Sequence, residues 1–238
     1  MKIYLQLWSI KDETEKDFFA ALERVAALGY AGVEFAGFGG IPAARMKQKL
    51  DELGLEGISA HVGYDLLKNE LEETLSYLQQ IGARYIVCPA AEIDSVASAR
   101  RIAAEFDEIG RKCAAAGLVF GYHNHDGEFA LDQGQYPLEV LFDSVDPRYV
   151  TQQPDLFWIE YAGLSCMDYL NAHKGRCPTI HLKQIRGKEN VNAPDGTIDF
   201  AAVQALCPEA VFIYEQEEYP GGSPIECVAR SAEYLTRL

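Results

Sequence analysis

The sequence predicts a single (β/α)8 barrel that spans residues 1–238. Short apolar runs alternate with helical patterns eight times, without a linker, a low-complexity tract or a change of composition. The chain is 238 residues long and 48% hydrophobic, which is enough to bury one large core. Polar residues follow the carboxyl ends of most apolar runs, and functional sites of parallel α/β folds lie at those ends.

Four strand and helix pairs are predicted in the first half of the chain. Phe18, Leu22, Val25 and Ala26 recur at helical spacing, and Pro42 begins a helix where its missing N–H does no harm. The predicted strands are residues 3–7, 31–35, 57–61 and 85–88. The predicted helices span about residues 15–29, 42–53, 69–81 and 95–116.

Four further pairs are predicted in the second half. The sixth strand is expected to end at Pro154, because proline removes one hydrogen bond of the ladder. Residues 186–197 read as a polar loop. The predicted strands are residues 118–122, 149–155, 178–183 and 211–215, and the predicted helices are residues 137–145, 166–173, 200–206 and 223–238. An open doubly wound sheet is disfavoured, because residues 6–11 contain no glycine-rich phosphate loop.

The most informative stretch is residues 118–129, which read Leu-Val-Phe-Gly-Tyr-His-Asn-His-Asp-Gly-Glu-Phe. Its apolar first half is typical of a buried parallel strand. The second half holds five groups that can bind a metal, exchange a proton or hold a hydroxyl: His123, Asn124, His125, Asp126 and Glu128. Taken alone, this half is equally compatible with a solvated loop.

Other predicted strands also end in polar residues, and a barrel brings all of these ends to one mouth. Four of the five histidines are among them, whereas His173 is predicted to lie on a helix surface. Convergence of ionisable groups costs desolvation energy unless a metal or a substrate compensates. The converging residues are Gln6, Glu34, His61, His123, Asp155, His181, Lys183 and Glu215.

Strands six, seven and eight contribute Asp155, His181 and Glu215 to this mouth. Two carboxylates and one imidazole suit one divalent ion of the class Mn²⁺, Zn²⁺, Mg²⁺ or Co²⁺. We expect the fourth ligand from strand five, where His123 and Glu128 are available. Positions left open for water or substrate would make the site catalytic rather than structural.

Composition excludes several partners. The net charge of −15 disfavours nucleic acid, because binding a phosphate backbone needs clustered Lys and Arg. No apolar segment approaches 18 residues, so we expect no membrane span, and we find no signal peptide. Six scattered cysteines favour structural thiols and a cytoplasmic location. A homo-oligomer is compatible with this sequence.

Along essentially its full length, the chain resembles the sugar phosphate isomerase/epimerase superfamily of xylose-isomerase-like barrels. The Tyr-His-Asn-His-x-x-Glu-Phe run at 122–129 is the most specific match, and the others are residues 32–36, 50–55, 59–61, 155–158, 162–163, 181–183 and 215–217. The resemblance implies a TIM barrel and metal positions at Asp155, His181 and Glu215.

The chain departs from this family at three places. Many relatives have a glutamate at the position of His123, where it binds metal and belongs to a catalytic pair. We therefore expect Glu128 to be the fourth ligand, because it preserves the charge of the family's ligand set. Gln184 stands where relatives usually have Asp, and no Asp-Pro follows residues 162–163.

The resemblance implies a metal-dependent isomerase or epimerase that forms an enediolate of a sugar or keto-sugar. Glu215 is the expected base, with His123, His125 or Glu128 as its partner. We expect apolar walls from Trp8, Phe38 and Trp158, and hydroxyl binding by His61, Glu34 and Lys183. A lyase that uses the same metal and base is the main alternative. A DNA-repair endonuclease and a non-catalytic sugar-binding barrel are less favoured.

Overall fold

The computed structural model describes residues 2–238, and its largest sheet has eight parallel strands. These are β1 (Ile3–Gln6), β2 (Gly32–Ala36), β3 (Glu56–His61), β4 (Tyr85–Cys88), β5 (Val119–His123), β6 (Val150–Gln153), β7 (Thr179–Leu182) and β10 (Val211–Tyr214). A two-stranded antiparallel hairpin of β8 (Gln184–Arg186) and β9 (Glu189–Val191) lies between β7 and β10 in the sequence.

The strand order is β6-β5-β4-β3-β2-β1-β10-β7, so β6 and β7 are the two ends of the sheet. These ends meet where an isolated parallel bridge joins Asp155 to His181. The amide of His181 donates to the carbonyl oxygen of Pro154 at 2.9 Å. The strands therefore form a nearly closed barrel with flanking helices, which confirms the predicted fold class.

The helices are α1 (Lys11–Lys16), α2 (Phe18–Ala27), α3 (Ala43–Leu53), α4 (Tyr64–Asn69), α5 (Leu71–Ile81), α6 (Val96–Ala115), α7 (Pro137–Ser144), α8 (Leu156–Tyr161), α9 (Cys166–His173), α10 (Phe200–Leu206) and α11 (Pro224–Leu235). Capping side chains set several of their ends. Ser95 forms a capping box with Ser98 at the start of α6, and Ser223 does so with Glu226 at the start of α11. Gly54 ends α3 in the left-handed conformation at φ 67°.

Three local features differ from the sequence prediction. The first helix is split into α1 and α2 at Asp17, whose carboxylate caps α2 by accepting from the amide of Ala20. Helices α4 and α8 were not predicted, because six residues are too few for a helical period to stand out. The predicted polar loop contains the β8–β9 hairpin, whose three-residue strands are also too short to recognise.

The apolar faces of the helices pack against the outside of the barrel in one large core. A second, small apolar cluster consists of Tyr4, Ile58, Tyr85 and Ile213. Because side chains alternate along a strand, Gln6 lies on the same face as Tyr4, and Glu215 lies on the same face as Ile213. The barrel interior is thus apolar at the level of this small cluster and polar toward the carboxyl ends of the strands.

Candidate metal centre

Four buried side chains converge at the carboxyl mouth of the barrel: His123, Asp155, His181 and Glu215. One potential ligand atom from each lies within 4.8 Å of the others. Oδ2 of Asp155 is 3.9 Å from Nε2 of His123 and 4.0 Å from Nδ1 of His181. Nδ1 of His181 is 3.3 Å from Oε2 of Glu215. The three residues expected from strands six, seven and eight are therefore brought together.

Asp155 holds an unpaired oxygen toward this cluster. Its Oδ1 accepts from the amide of Trp158 at 3.1 Å, whereas the buried Oδ2 has no hydrogen-bond partner among residues 2–238. Burial raises the pKa of Asp155 to about 7, although Lys183 opposes the rise. A bound cation would compensate for this buried, unpaired oxygen. Two imidazoles and two carboxylates therefore fit a divalent transition ion.

His181 is oriented by a carboxylate below it. Its Nε2 lies 2.6 Å from Oε1 of Glu34, so that Nδ1 faces the cluster. Burial alone would lower the pKa of His181, but Glu34 and Glu215 outweigh it and raise the pKa to about 10. Burial would raise the pKa of Glu34, but His61 and His181 lower it to about 2. Metal-binding histidines commonly donate their second N–H to a carboxylate in this way.

Glu34 was expected to bind a substrate hydroxyl, and the structure places it elsewhere. The residue is fully buried and is not part of the cavity wall. Both of its carboxylate oxygens are engaged, by Gln6 at 2.8 Å, Ser59 at 2.6 Å and Gln153 at 2.9 Å in addition to His181. Glu34 is therefore in contact with His181 and does not reach the cavity.

Glu128, the expected fourth ligand, lies outside the cluster. Its Oε1 accepts from the hydroxyl of Tyr122 at 2.5 Å, and its Oε2 accepts from the amide of His125 at 3.0 Å. The loop that carries Glu128 forms a short 3-10 helix at Gly127–Phe129. His123 occupies the fourth corner instead, so the geometry favours the other ligand that the sequence offers.

A cavity of about 330 Å³ opens above the cluster. Five of its lining residues are among the predicted site residues: Trp8, His61, His123, His125 and Glu215. Four others were not anticipated: Ala36, Pro89, Ala90 and Glu217. One signal for Glu217 exists in the sequence, because residues two apart on an extended segment point to the same side, and Glu217 lies two residues after Glu215. A volume of this size suits a small ligand.

Lys183 and Trp158 lie behind the cavity rather than on its wall. The side chain of Lys183 is 1% exposed, with Nζ 3.5 Å from Oε2 of Glu215 and 3.9 Å from Oδ2 of Asp155. Burial opposes its charge, but these carboxylates and Glu217 raise the pKa of Lys183 above its usual value. Nζ also lies 4.9 Å from the centre of the Trp158 ring, which packs 5.4 Å from His125.

His61 lies on the cavity wall, stacked on the ring of His181 at 5.2 Å with an interplanar angle of 8°. Its Nε2 is 2.7 Å from Oε1 of Gln153. Burial lowers the pKa of His61 and lowers that of His123 well below its usual value, so both rings are neutral at pH 7. Phe38, an expected wall residue, instead packs on Tyr77 at 4.0 Å.

Glu215 is ionised despite its burial. Burial would raise the pKa of Glu215, but Lys183 and His181 outweigh this effect and hold the pKa well below the usual range. The carboxylate also lines the cavity. Glu215 is therefore available both as an anionic ligand and as a proton acceptor.

Within residues 2–238, no helix combines the length and apolar character needed to cross a membrane.

Several known proteins are similar to this chain over nearly its whole length. An inosose dehydratase of Geobacillus kaustophilus is 23% identical over 91% of this chain and 86% of its own length. The crystal structure of a sugar phosphate isomerase/epimerase from Parabacteroides distasonis matches with a TM-score of 0.85 at 22% identity, over 100% of this chain and 99% of that one. A zinc-bound IOLI protein matches with a TM-score of 0.75 at 11% identity, over 100% and 97%.

The sequence profile of one family covers residues 22–206, from the second helix to the helix before the last barrel strand. That profile describes the xylose isomerase-like TIM barrel, and the barrel found here has the same architecture. The chain therefore belongs to the xylose isomerase-like TIM barrel family.

Proposed function

We propose that this protein is a metal-dependent enzyme that isomerises or epimerises a sugar or keto-sugar. The observation that carries the proposal is the unpaired Oδ2 of Asp155, which faces His123, His181 and Glu215 below a small cavity. These four residues would hold a divalent ion, which would supply Lewis-acid stabilisation of the negative charge that develops when a proton is taken from the carbon next to a carbonyl. Support also comes from the family, whose solved relatives include a sugar phosphate isomerase/epimerase.

Glu215 is the proposed base. It is ionised, it lines the cavity, and Lys183 and His181 hold its carboxylate in place. A carboxylate that is fixed next to the substrate carbon can take the proton without reorganising. Return of that proton to the neighbouring carbon would isomerise the sugar.

His125, which also lines the cavity, is the proposed acid. Its ring lies 5.0 Å from that of His123 and is supported from behind by Trp158. The carboxylate of Glu128 accepts a hydrogen bond from the amide of His125 and so positions His125, although Glu128 is not part of the cluster. If His125 returns a proton to the face of the carbon opposite to Glu215, the carbon is inverted and the sugar is epimerised.

The remaining wall suits a carbohydrate. Trp8 is 44% exposed and offers an apolar face, which is the surface that the C–H groups of a sugar prefer. Ala36, Pro89 and Ala90 leave room beside it. His61 offers a ring nitrogen to a hydroxyl. A net charge of −15 supports a small-molecule substrate rather than a nucleic acid.

A lyase is the second candidate, and the residue at 123 favours it. His123 replaces one carboxylate of the pair that the family resemblance implies, so Glu215 is the one carboxylate of the cluster that lines the cavity. Elimination needs one base and an acid for the leaving hydroxyl, whereas two-sided proton transfer needs a group on each face. The curated relatives named inosose dehydratase support the same alternative.

Metal analysis followed by proton exchange tests the proposal. The protein is stripped with a chelator, reloaded with Zn²⁺, Mn²⁺, Mg²⁺ or Co²⁺, and incubated in D2O with ketohexoses, aldohexoses and inosose. We expect about one ion per chain and deuterium at the carbon next to the carbonyl. A moved carbonyl identifies an isomerase, an inverted carbon an epimerase, and loss of water a lyase. Absence of both metal and exchange would contradict the proposal.

A further inference from the structure

We propose that Glu217 accepts a hydrogen bond from one substrate hydroxyl, and that Asn190 of the β8–β9 hairpin positions it. This inference rests on the proposed function and deepens it. It adds a recognition point for a hydroxyl beyond the oxygens next to the cluster. It also assigns a role to the hairpin.

One of the two carboxylate oxygens of Glu217 is available to bind a ligand in the cavity. It lines the cavity wall and is 34% exposed. Its Oε2 accepts from Nζ of Lys183, whereas its Oε1 has no hydrogen-bond partner among residues 2–238. A carboxylate has about four acceptor positions, so one contact leaves room for a hydroxyl. A hydroxyl that donates to a carboxylate forms a short and strong hydrogen bond.

Lys183 holds one end of this carboxylate. Its ammonium is buried between Glu217 on one side and Glu215 and Asp155 on the other, at 3.5 Å and 3.9 Å from their oxygens. A buried cation that loses its partner is strongly destabilised. The contact with this buried ammonium occupies Oε2 of Glu217 and leaves its other oxygen for a ligand in the cavity that Glu217 lines.

Asn190 holds the backbone at the other end. Its Oδ1 accepts from the amides of Glu217 at 2.8 Å and Glu218 at 3.2 Å. Its Nδ2 donates to the carbonyl oxygen of Gln184 at 2.9 Å. Asn190 is 2% exposed, and its three bonds have the short lengths of well-formed hydrogen bonds.

The loop after the hairpin is braced in turn by Gln184. Its amide oxygen accepts from the amide of Ile198 at 2.9 Å, and its Nε2 donates to the carbonyl oxygens of Ala193 and Ile198. Gly196 gives the Gln184 side chain its room, since a Cβ there would lie 2.2 Å from Cγ. Gln184 thus fixes the loop that follows the hairpin with its side chain, and its backbone carbonyl accepts from Asn190.

An acceptor that is fixed at both ends discriminates between configurations. It bonds a hydroxyl on one face of the sugar and leaves the hydroxyl of the opposite epimer without a partner. Sites built to bind one hydroxyl reject analogues that lack it by large factors. Glu217 therefore determines specificity at one carbon of the substrate.

The test compares Zn²⁺-loaded wild type with Glu217→Gln and Asn190→Ala. Glu189→Gln, on the exposed side of the same hairpin, is the matched control. The probes are D-fructose, D-tagatose, D-psicose, D-sorbose and inosose, each with its mono-deoxy analogues. KM, kcat, metal content and melting temperature are measured for every protein.

We expect Glu217→Gln to raise KM about tenfold or more, with unchanged metal content, because a hydrogen bond to a charged acceptor is lost. The penalty should vanish for the one deoxy analogue that lacks the bonded hydroxyl. Asn190→Ala should raise KM for the same substrate and change kcat by no more than about twofold. The control should behave as wild type.

The inference is overturned, while the proposed function stands, by an unchanged KM in Glu217→Gln or by a penalty that is equal for all deoxy analogues. Loss of metal from Glu217→Gln would also overturn it, because the residue would then act through the cluster. If wild type neither holds metal nor exchanges protons with any probe, the proposed function fails, and the inference fails with it.

Discussion

Nε2 of His181 lies 2.6 Å from Oε1 of Glu34, while Nδ1 of the same ring faces Glu215 at 3.3 Å and Asp155 at 4.0 Å. One imidazole thus joins a buried network below the mouth of the barrel to the candidate metal centre. Because Glu34 accepts the Nε2–H, Nδ1 is the nitrogen that faces the cluster, where a bound ion would replace its proton. The orientation of this candidate metal ligand therefore depends on a residue that does not line the cavity.

Removal of the Glu34 charge should weaken metal binding. We expect Glu34→Gln to lower Zn²⁺ affinity about 10- to 100-fold, because His181 loses the partner that orients it. Chelator competition gives the affinity. Glu56→Gln is the matched control, since Glu56 pairs with Lys2 and Tyr4 on the opposite end of the barrel. Equal affinities in the two variants would show that Glu34 does not support the site.

The pairing of His181 with Glu34 should make the stability of the metal-free protein fall at high pH. The pKa of His181 is raised to about 10 in the folded protein, compared with about 6.5 in the unfolded chain. The stability that this shift adds to the folded state is therefore complete below about pH 6.5 and is lost as the pH rises through about 10. Asp155, whose pKa is about 7, has finished titrating at the top of this window. We expect the melting temperature of the metal-free protein to fall between about pH 8 and pH 10. A similar fall in Glu34→Gln would assign it to other groups.

The fourth ligand can be decided by two substitutions. His123→Asn should lower metal affinity about 100-fold or more, because a ligand is lost. Glu128→Gln should keep the metal and lower kcat, because Glu128 holds the amide of His125 and the hydroxyl of Tyr122. This is the reverse of the outcome expected from the sequence. Metal loss in Glu128→Gln alone would restore the original assignment.

The histidine at position 123 should also set metal preference. Imidazole ligands favour Zn²⁺ and Co²⁺, whereas carboxylates suit Mg²⁺ and Mn²⁺. We expect wild type to take Zn²⁺ or Co²⁺ from an equimolar mixture of the four ions. His123→Glu should shift the bound fraction toward Mn²⁺, measured by mass spectrometry of the recovered protein. No shift would mean that His123 does not bind the ion.

The repeating strands and helices were predictable because their signal is local. Apolar spacing along residues 85–88 or 200–206 depends only on neighbours in the chain, and both elements have the predicted bounds. The barrel then brings Asp155, His181 and Glu215 together, since parallel strands end at one edge. The short elements α4, α8 and β8–β9 carry too few residues for such a period.

The sequence by itself determined the barrel, the face on which the site forms and three of the four converging residues. Only the tertiary structure shows that His123 joins the cluster and Glu128 does not, because Glu128 is bound by Tyr122 and the amide of His125, contacts that its spacing does not predict. The burial of Lys183 and the hydrogen bond that the Glu217 amide donates to Oδ1 of Asn190 likewise depend on closure of the chain. Hydrogen-bond partners are set by proximity in space, whereas a residue pattern records only proximity along the chain.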